Sequence, residues 1–272
     1  TKNLINQRPD AKVYPNFDEN LRQAFITETD LFLQSQVRED RPVPELLTAK
    51  YTYLNERLAK HYSVPNVRGE QFRRVALPDD SRAGLLGHGS VLMVTSYNDR
   101  TSVVMRGKWI MDTIMGTPPP PPPNPLPPPL SDTKIAGSLR QRMEAHRKNP
   151  VCSACHNILD PLGFGLENFD GVGQFRTLDG GATIDPSGSL ADGSKFNSPA
   201  SYRTALLGRR DAFLTNLTKH LMTYALGRGV ETRDMPAVRT VLKSAAPTDY
   251  RWSSLVLAIV KSTPFQMRRA ES

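Results

Sequence analysis

No stretch of this chain restricts its architecture more than Cys152-Ser153-Ala154-Cys155-His156. Two thiols three positions apart lie on one helical turn, and a histidine follows the second directly. A C-x-x-C-H pentad is the attachment pattern of c-type haem. The two thiols reach the two vinyl groups of one porphyrin, and the histidine is held under the iron as its proximal ligand. The chain has 2 cysteines in 272 residues, so this reading uses both. A zinc site wants a second ligand pair at defined spacing, and no second cysteine pair exists. A thioredoxin-like motif opens a helix in a βαβ unit, a pattern missing here. A disulfide across two intervening residues closes a strained ring. The expectation is one covalent haem c on Cys152 and Cys155, with His156 on the iron.

The second constraint is proline. Pro118 to Pro123 are consecutive, and Asn124-Pro125-Leu126 leads into Pro127 to Pro129. Such a run adopts polyproline II, a stiff spacer of about 3.1 Å per residue. It divides the chain into an N-terminal mainly helical module (1–117), a polyproline linker (118–130) and a C-terminal helical, mono-haem cytochrome c-like domain (131–272). The expected fold class is mainly α, with a small β-hairpin insertion in the haem domain.

On either side of the strap the periodicity is helical. Residues 1–16 are polar, carry Pro9 and Pro15, and read as an extended arm. Asp18 caps a helix to Arg38 whose apolar face is Leu21, Ala24, Phe25, Leu31 and Phe32, with Glu28 and Asp30 read as solvated. A second helix is expected over 45–62, through Leu47, Tyr51, Leu54 and Leu58, with His61 serving its C-terminal dipole. Gly84 to Gly89 lacks the G-K-[S/T] ending of a phosphate loop and reads as a turn, with His88 exposed in it. Val103 to Met115 reads as an amphipathic helix carrying Arg106, Lys108 and Trp109. Ser131 or Asp132 caps the helix that delivers the chain to the pentad. Residues 174–196 alternate, with turns at Asp179-Gly180-Gly181 and Asp185-Pro186-Ser187-Gly188. They form one or two hairpins, the only convincing strands. Helices follow over 199–207, 211–226, 235–245 and 253–260, with Gly227 as a C-cap. Asn216-Leu217-Thr218 fits a glycosylation sequon but falls within a helix.

The net charge is +8 and the pI about 9.6. The basic residues are scattered, and no nucleic-acid motif accompanies them. With a haem expected, an acidic redox partner is the partner this charge favours. No apolar run approaches the length of a membrane span. Haem attachment is completed outside the cytoplasm, so the expected location is periplasmic or extracellular, with a leader removed from the precursor.

Several further motifs accompany the pentad: Arg106-Gly-Lys-Trp109, Gly116-Thr117 before the prolines, His146-Arg147, Asp160-Pro-Leu-Gly-Phe164 and Leu166-Glu-Asn-Phe-Asp170. Thr223-Tyr-Ala-Leu-Gly-Arg228 and Ser262-Thr-Pro-Phe-Gln-Met-Arg-Arg269 complete the set. From about Phe17 to Arg269 the chain resembles the C-terminal portion of the large secreted planctomycete-type cytochrome c proteins, built from domains of unknown function 1592, 1588 and 1585. The resemblance implies an extracytoplasmic haem c protein.

The leading functional expectation is electron transfer by one haem. Arg106, Lys108 and Arg176 are candidates to pair with its propionates, and Trp109 is counted among the haem-binding residues. Met267 is the candidate distal iron ligand, because Pro264 stops a helix and lets a loop present one thioether. Met222 and His146 are the alternatives. The competing expectations are a peroxidase-like enzyme, a haem domain serving a fused or bound dehydrogenase, and a structural subunit of a membrane-associated redox complex.

Overall fold

The structure, a computed structural model, describes residues 2–121 and 138–267. Asp18 accepts the amide of Leu21 and so starts α1 (Glu19–Arg38), which buries Leu21, Ala24, Phe25 and Phe32 along one side. The first residues are not an extended arm. Lys2–Asn6 form a 3-10 turn, Leu4 is fully buried, and its carbonyl accepts from Arg22 Nη1 at 2.5 Å.

After α2 (Glu45–Thr48) the helix expected over 45–62 does not continue. Tyr51–Leu54 form β1, paired antiparallel with β2 (Arg73–Ala76), and α3 (Glu56–Tyr62) starts afresh behind Asn55, whose side chain accepts from Leu58 N. Tyr-Thr-Tyr-Leu is aromatic and β-branched, so its local preference is a pleated backbone, and β2 supplies the partner. The later hairpins are therefore not the only strands.

A 3-10 turn at Leu85–Gly87 leads into α4 (Gly89–Val94), and α5 (Val103–Trp109) runs on into a π-helical turn, Ile110–Met115, closed by Gly116 at φ +63. Of the expected linker, residues 118–121 have no regular secondary structure. The rest of the linker lies outside the described residues, as do the expected caps Ser131 and Asp132. The helix entering the pentad is α6 (Leu139–Arg147), started by a reciprocal cap between Ser138 and Gln141. The pentad itself is on α7 (Pro150–Phe164).

Two hairpins follow as expected: β3 (Leu178–Asp179) with β4 (Ala182–Thr183), and β5 (Gly188–Ser189) with β6 (Lys195–Phe196). The remainder is α8 (Pro199–Gly208), α9 (Arg210–Leu226), α10 (Met235–Ala245), α11 (Trp252–Val260) and α12 (Thr263–Gln266). Gly227, at φ +67, ends α9. Asn216 is buried and donates to the carbonyl of Thr113 at 2.8 Å, which leaves no room for a glycan. The protein is mainly helical, with short antiparallel strand pairs.

The core runs across position 118. One cluster takes Phe32, Leu47, Ile110 and Met115 from before it and Leu159, Phe169, Tyr202 and Met222 from after it. A second cluster, with Leu4, Phe25, Leu58 and Met93, fills the N-terminal side. The closest helix crossing spans the same divide. α5 lies antiparallel on α7, where a Cβ at Gly107 would overlap the carbonyl of Leu159 and one at Gly163 the carbonyl of Val103. Only glycine lets the two backbones approach this far.

Candidate haem-attachment site

Asn149 accepts the amide of Val151, and Pro150 occupies the first helical position, so α7 is set to begin two residues before Cys152. Cys152 is buried, Cys155 half-buried, and both are free thiols. His156 lies one turn beyond Cys152. Its Nδ1 is 2.9 Å from Oδ1 of Asp160, which lies a further turn on and is fully buried. A carboxylate at Nδ1 holds the ring proton there and leaves the Nε2 lone pair free to bind a metal. The other oxygen of Asp160 has no hydrogen bond, and Arg147 Nε stands 3.8 Å from it.

The His146 ring packs edge-on against His156, with centroids 4.6 Å apart and planes at 80°. Burial, and then the charge of His156, hold His146 below the ordinary histidine pKa. Among the described residues no three His, Cys, Asp or Glu side chains converge as a metal site. One oriented imidazole able to bind iron and two thiols able to form thioether bonds, all on a single helix, fit what a covalent haem needs.

The antiparallel register of α5 on α7 carries the Trp109 end of α5, with the π-helical turn after it, toward the pentad end of α7. Trp109 is half-buried against the main core. Arg106 does something other than pair with a propionate. It is fully buried and donates to the carbonyls of Leu166 (2.8 Å), Phe169 (2.7 Å) and Asp170 (2.8 Å), with Glu167 Oε2 at 3.5 Å. It clamps the loop after α7. Arg176 is likewise held, by Glu167 Oε1 at 2.6 Å and Asp179 Oδ1 at 2.5 Å. Lys108 pairs with Asp112.

Of the candidate distal ligands, Met222 is fully buried in the main core, and His146 touches the ring of His156 itself. Met267 follows α12 and is 71% exposed. The helix around Pro264 is not stopped by it; Pro264 sits at the second position of α12, and the chain leaves the helix at Met267.

A second polar cluster, for which the sequence reading gives no expectation, lies on the N-terminal side. Glu28 is fully buried; Tyr62 donates to it at 2.6 Å and Thr52 at 2.7 Å. Tyr62 in turn accepts from Gly89 N at 2.7 Å. His88, also buried, has Nδ1 3.2 Å from the Thr29 hydroxyl and lies edge-on to Phe32. Burial raises the Glu28 pKa to about 7. Burial, followed by the nearby charge of Arg82, lowers that of His88 to about 3. His61 is buried as well, and its Nε2 pairs with the Val172 carbonyl at 2.9 Å instead of serving a helix end. The clue was in the spacing: Glu28 stands three residues after Phe25 and four before Phe32, on the buried face of α1.

No curated protein and no solved structure matches the chain. Three family models do. Residues 1–64 match a protein of unknown function (DUF1592), residues 82–179 another (DUF1588), and residues 192–265 a third (DUF1585). α5, α6 and α7 all fall inside the second match. With the three matches in this order along most of its length, the chain belongs to the planctomycete cytochrome c-type families.

Proposed function

We propose that Cys152 and Cys155 carry one haem c through thioether bonds, that His156 is its proximal iron ligand, and that the chain is a one-electron carrier working outside the cytoplasm. The observation that carries this reading is the His156–Asp160 pair at 2.9 Å on the helix that also holds both free thiols. A bound haem supplies exchange of one electron between ferrous and ferric iron. The chain's own residues do the rest. Asp160 fixes the tautomer and orientation of His156 and makes the ring a stronger donor. The Gly107–Gly163 crossing holds α7 rigidly against α5, so the ligand geometry changes little between oxidation states. Met267 is the distal ligand in this proposal, since its sulfur is exposed whereas Met222 is packed in the core and His146 is on the proximal side. Among the described residues no helix is long and apolar enough to cross a membrane. The excess of basic residues favours docking to an acidic redox protein.

Intact mass of the native protein tests the attachment. The expected result is the sequence mass plus one haem, lost in Cys152→Ala with Cys155→Ala. A protein of plain sequence mass, or one holding zinc at these thiols, overturns the proposal. For the distal ligand, Met267→Ala is expected to abolish the red charge-transfer band of methionine-ligated ferric haem; a band that persists removes Met267 from the role.

A further inference from the structure

A concave groove of about 640 Å³ opens between α6, α7, the β5–β6 hairpin and the start of α8. Arg140, Arg147 and Lys195 reach its wall, with Phe164 beneath and the polar groups of Ser189 and Asn197 at its edge. Among the described residues no aspartate or glutamate lines it. That makes it a one-sign cavity beside the helix that carries the pentad.

The three cations are not equally committed. Arg140 is part of the scaffold: it donates to the carbonyl of Asp185 at 2.7 Å, its Nε is 3.1 Å from Asp185 Oδ2, and it stacks 4.1 Å over Phe164. The Arg147 side chain makes no hydrogen bond among the described residues; its ion pairs are long, with Asp160 Oδ2 at 3.8 Å and Glu144 Oε1 at 3.9 Å. The Lys195 ammonium has no ion pair or hydrogen bond among the described residues. An arginine fork without a hydrogen-bonded acceptor, sharing with an unpaired ammonium a hollow that no described carboxylate lines, is suited to a planar or tetrahedral group of oxygens.

We propose that this groove binds a small oxyanion, a carboxylate or a phosphate, through Arg147 and Lys195. The anion has two sources: a free ion from solution, or a carboxylate of the haem carried on α7. The second source rests on the haem reading above; the first does not. Arg147 stands between the groove and Asp160, so an anion that draws Arg147 toward itself leaves more of the Asp160 charge on His156. Occupancy is thereby coupled to the proximal ligand.

The test titrates inorganic phosphate, and separately succinate, into the native full-length protein by calorimetry, beside Arg147→Gln/Lys195→Gln. Both side chains are at the rim of the groove, and circular dichroism checks that the variant is folded. If the anion is free, one ion binds per chain, and the variant loses roughly tenfold or more in affinity, as expected for charge-assisted hydrogen bonds. If the haem supplies the carboxylate, the native protein takes up no added anion, while the variant shifts the haem midpoint potential and melts at lower temperature. A protein that proves to hold no haem still reports on the first arm, so failure of the two readings is separable. Anion binding undiminished in the variant overturns the proposal. So does an absence of binding together with an unchanged potential and melting temperature.

Discussion

Glu28 and His88 are two buried titratable groups whose effects on stability oppose each other, and a single substitution separates them. In the fold Glu28 keeps its proton up to about pH 7, whereas in the unfolded chain it ionises near 4.5. Between those values the native state binds the extra proton, so stability falls as pH rises. At about 1.4 kcal/mol per pH unit the whole effect is about 3 kcal/mol. His88 works the other way. It stays neutral in the fold down to about pH 3, while the unfolded chain protonates it below about 6.5. Here the unfolded state binds the extra proton, so stability rises with pH across that window, by about 5 kcal/mol in all. Where the windows overlap, from about pH 4.5 to 6.5, the slopes cancel. Glu28→Gln preserves the shape and can still accept from Tyr62 or Thr52, but it cannot ionise. Urea unfolding followed by far-UV circular dichroism should show the variant gaining on the wild type by about 3 kcal/mol between pH 4.5 and pH 7. The variant's own stability should rise with pH over the overlap, where that of the wild type is flat with respect to this pair. A constant offset between the two proteins across this range would refute the reasoning, because it would mean that Glu28 carries the same charge folded and unfolded.

Three further outcomes follow from the surroundings of α7. Gly163→Ala should lower the urea midpoint by an amount worth about 1–3 kcal/mol, since its methyl would overlap the Val103 carbonyl and force the α5–α7 crossing apart. Arg106→Lys should cost about 2 kcal/mol or more in the same assay, because one ammonium cannot reach all of the Leu166, Phe169 and Asp170 carbonyls that the fork satisfies. Asp160→Asn removes the charge behind His156 while keeping its volume, so the haem midpoint potential should rise in a redox titration; an unchanged potential would separate Asp160 from the ligand.

The helices were legible where one apolar stripe and one cap agreed. Asp18 before Leu21 and Phe25, and Gly227 after α9, are local signals that tertiary structure had no reason to override. Tyr51–Leu54 reads as helix because a strand and the following helix can bury the same side, so that Leu47, Tyr51, Leu54 and Leu58 imitate a single helix. The surroundings of Arg106, Arg176, His61 and His88 are illegible in the sequence for a common reason. A polar side chain in a sequence looks like a surface group until the carbonyls, hydroxyls and carboxylates that satisfy it are brought in from distant positions, such as Val172 for His61. The groove beside α6 had no signal at all: its cations come from residues 140, 147 and 195 and meet only after the second hairpin folds back.

The motifs surrounding the pentad form one structure rather than a series of separate sites. In Arg106-Gly-Lys-Trp109, the arginine clamps the loop after α7 and the glycine admits the α7 backbone. In Asp160-Pro-Leu-Gly-Phe164, the aspartate orients His156, the second glycine completes the crossing, and the phenylalanine carries Arg140 at the groove. In Leu166-Glu-Asn-Phe-Asp170, three carbonyls receive Arg106, Glu167 takes Arg176 and the Thr101 hydroxyl, and Asp170 caps the turn through the amides of Val172 and Gln174. Each motif thus fixes α7 from a different side. These contacts cage the C-terminal half of α7 and the loop after it; if the helix carries the proposed haem, they limit movement of His156 between oxidation states, which would otherwise add to the energy of every electron transfer. The buried Glu28–His88 cluster lies outside this cage, on α1, β1, α3 and α4, and its titration therefore acts on the stability of the N-terminal side rather than on the ligand itself.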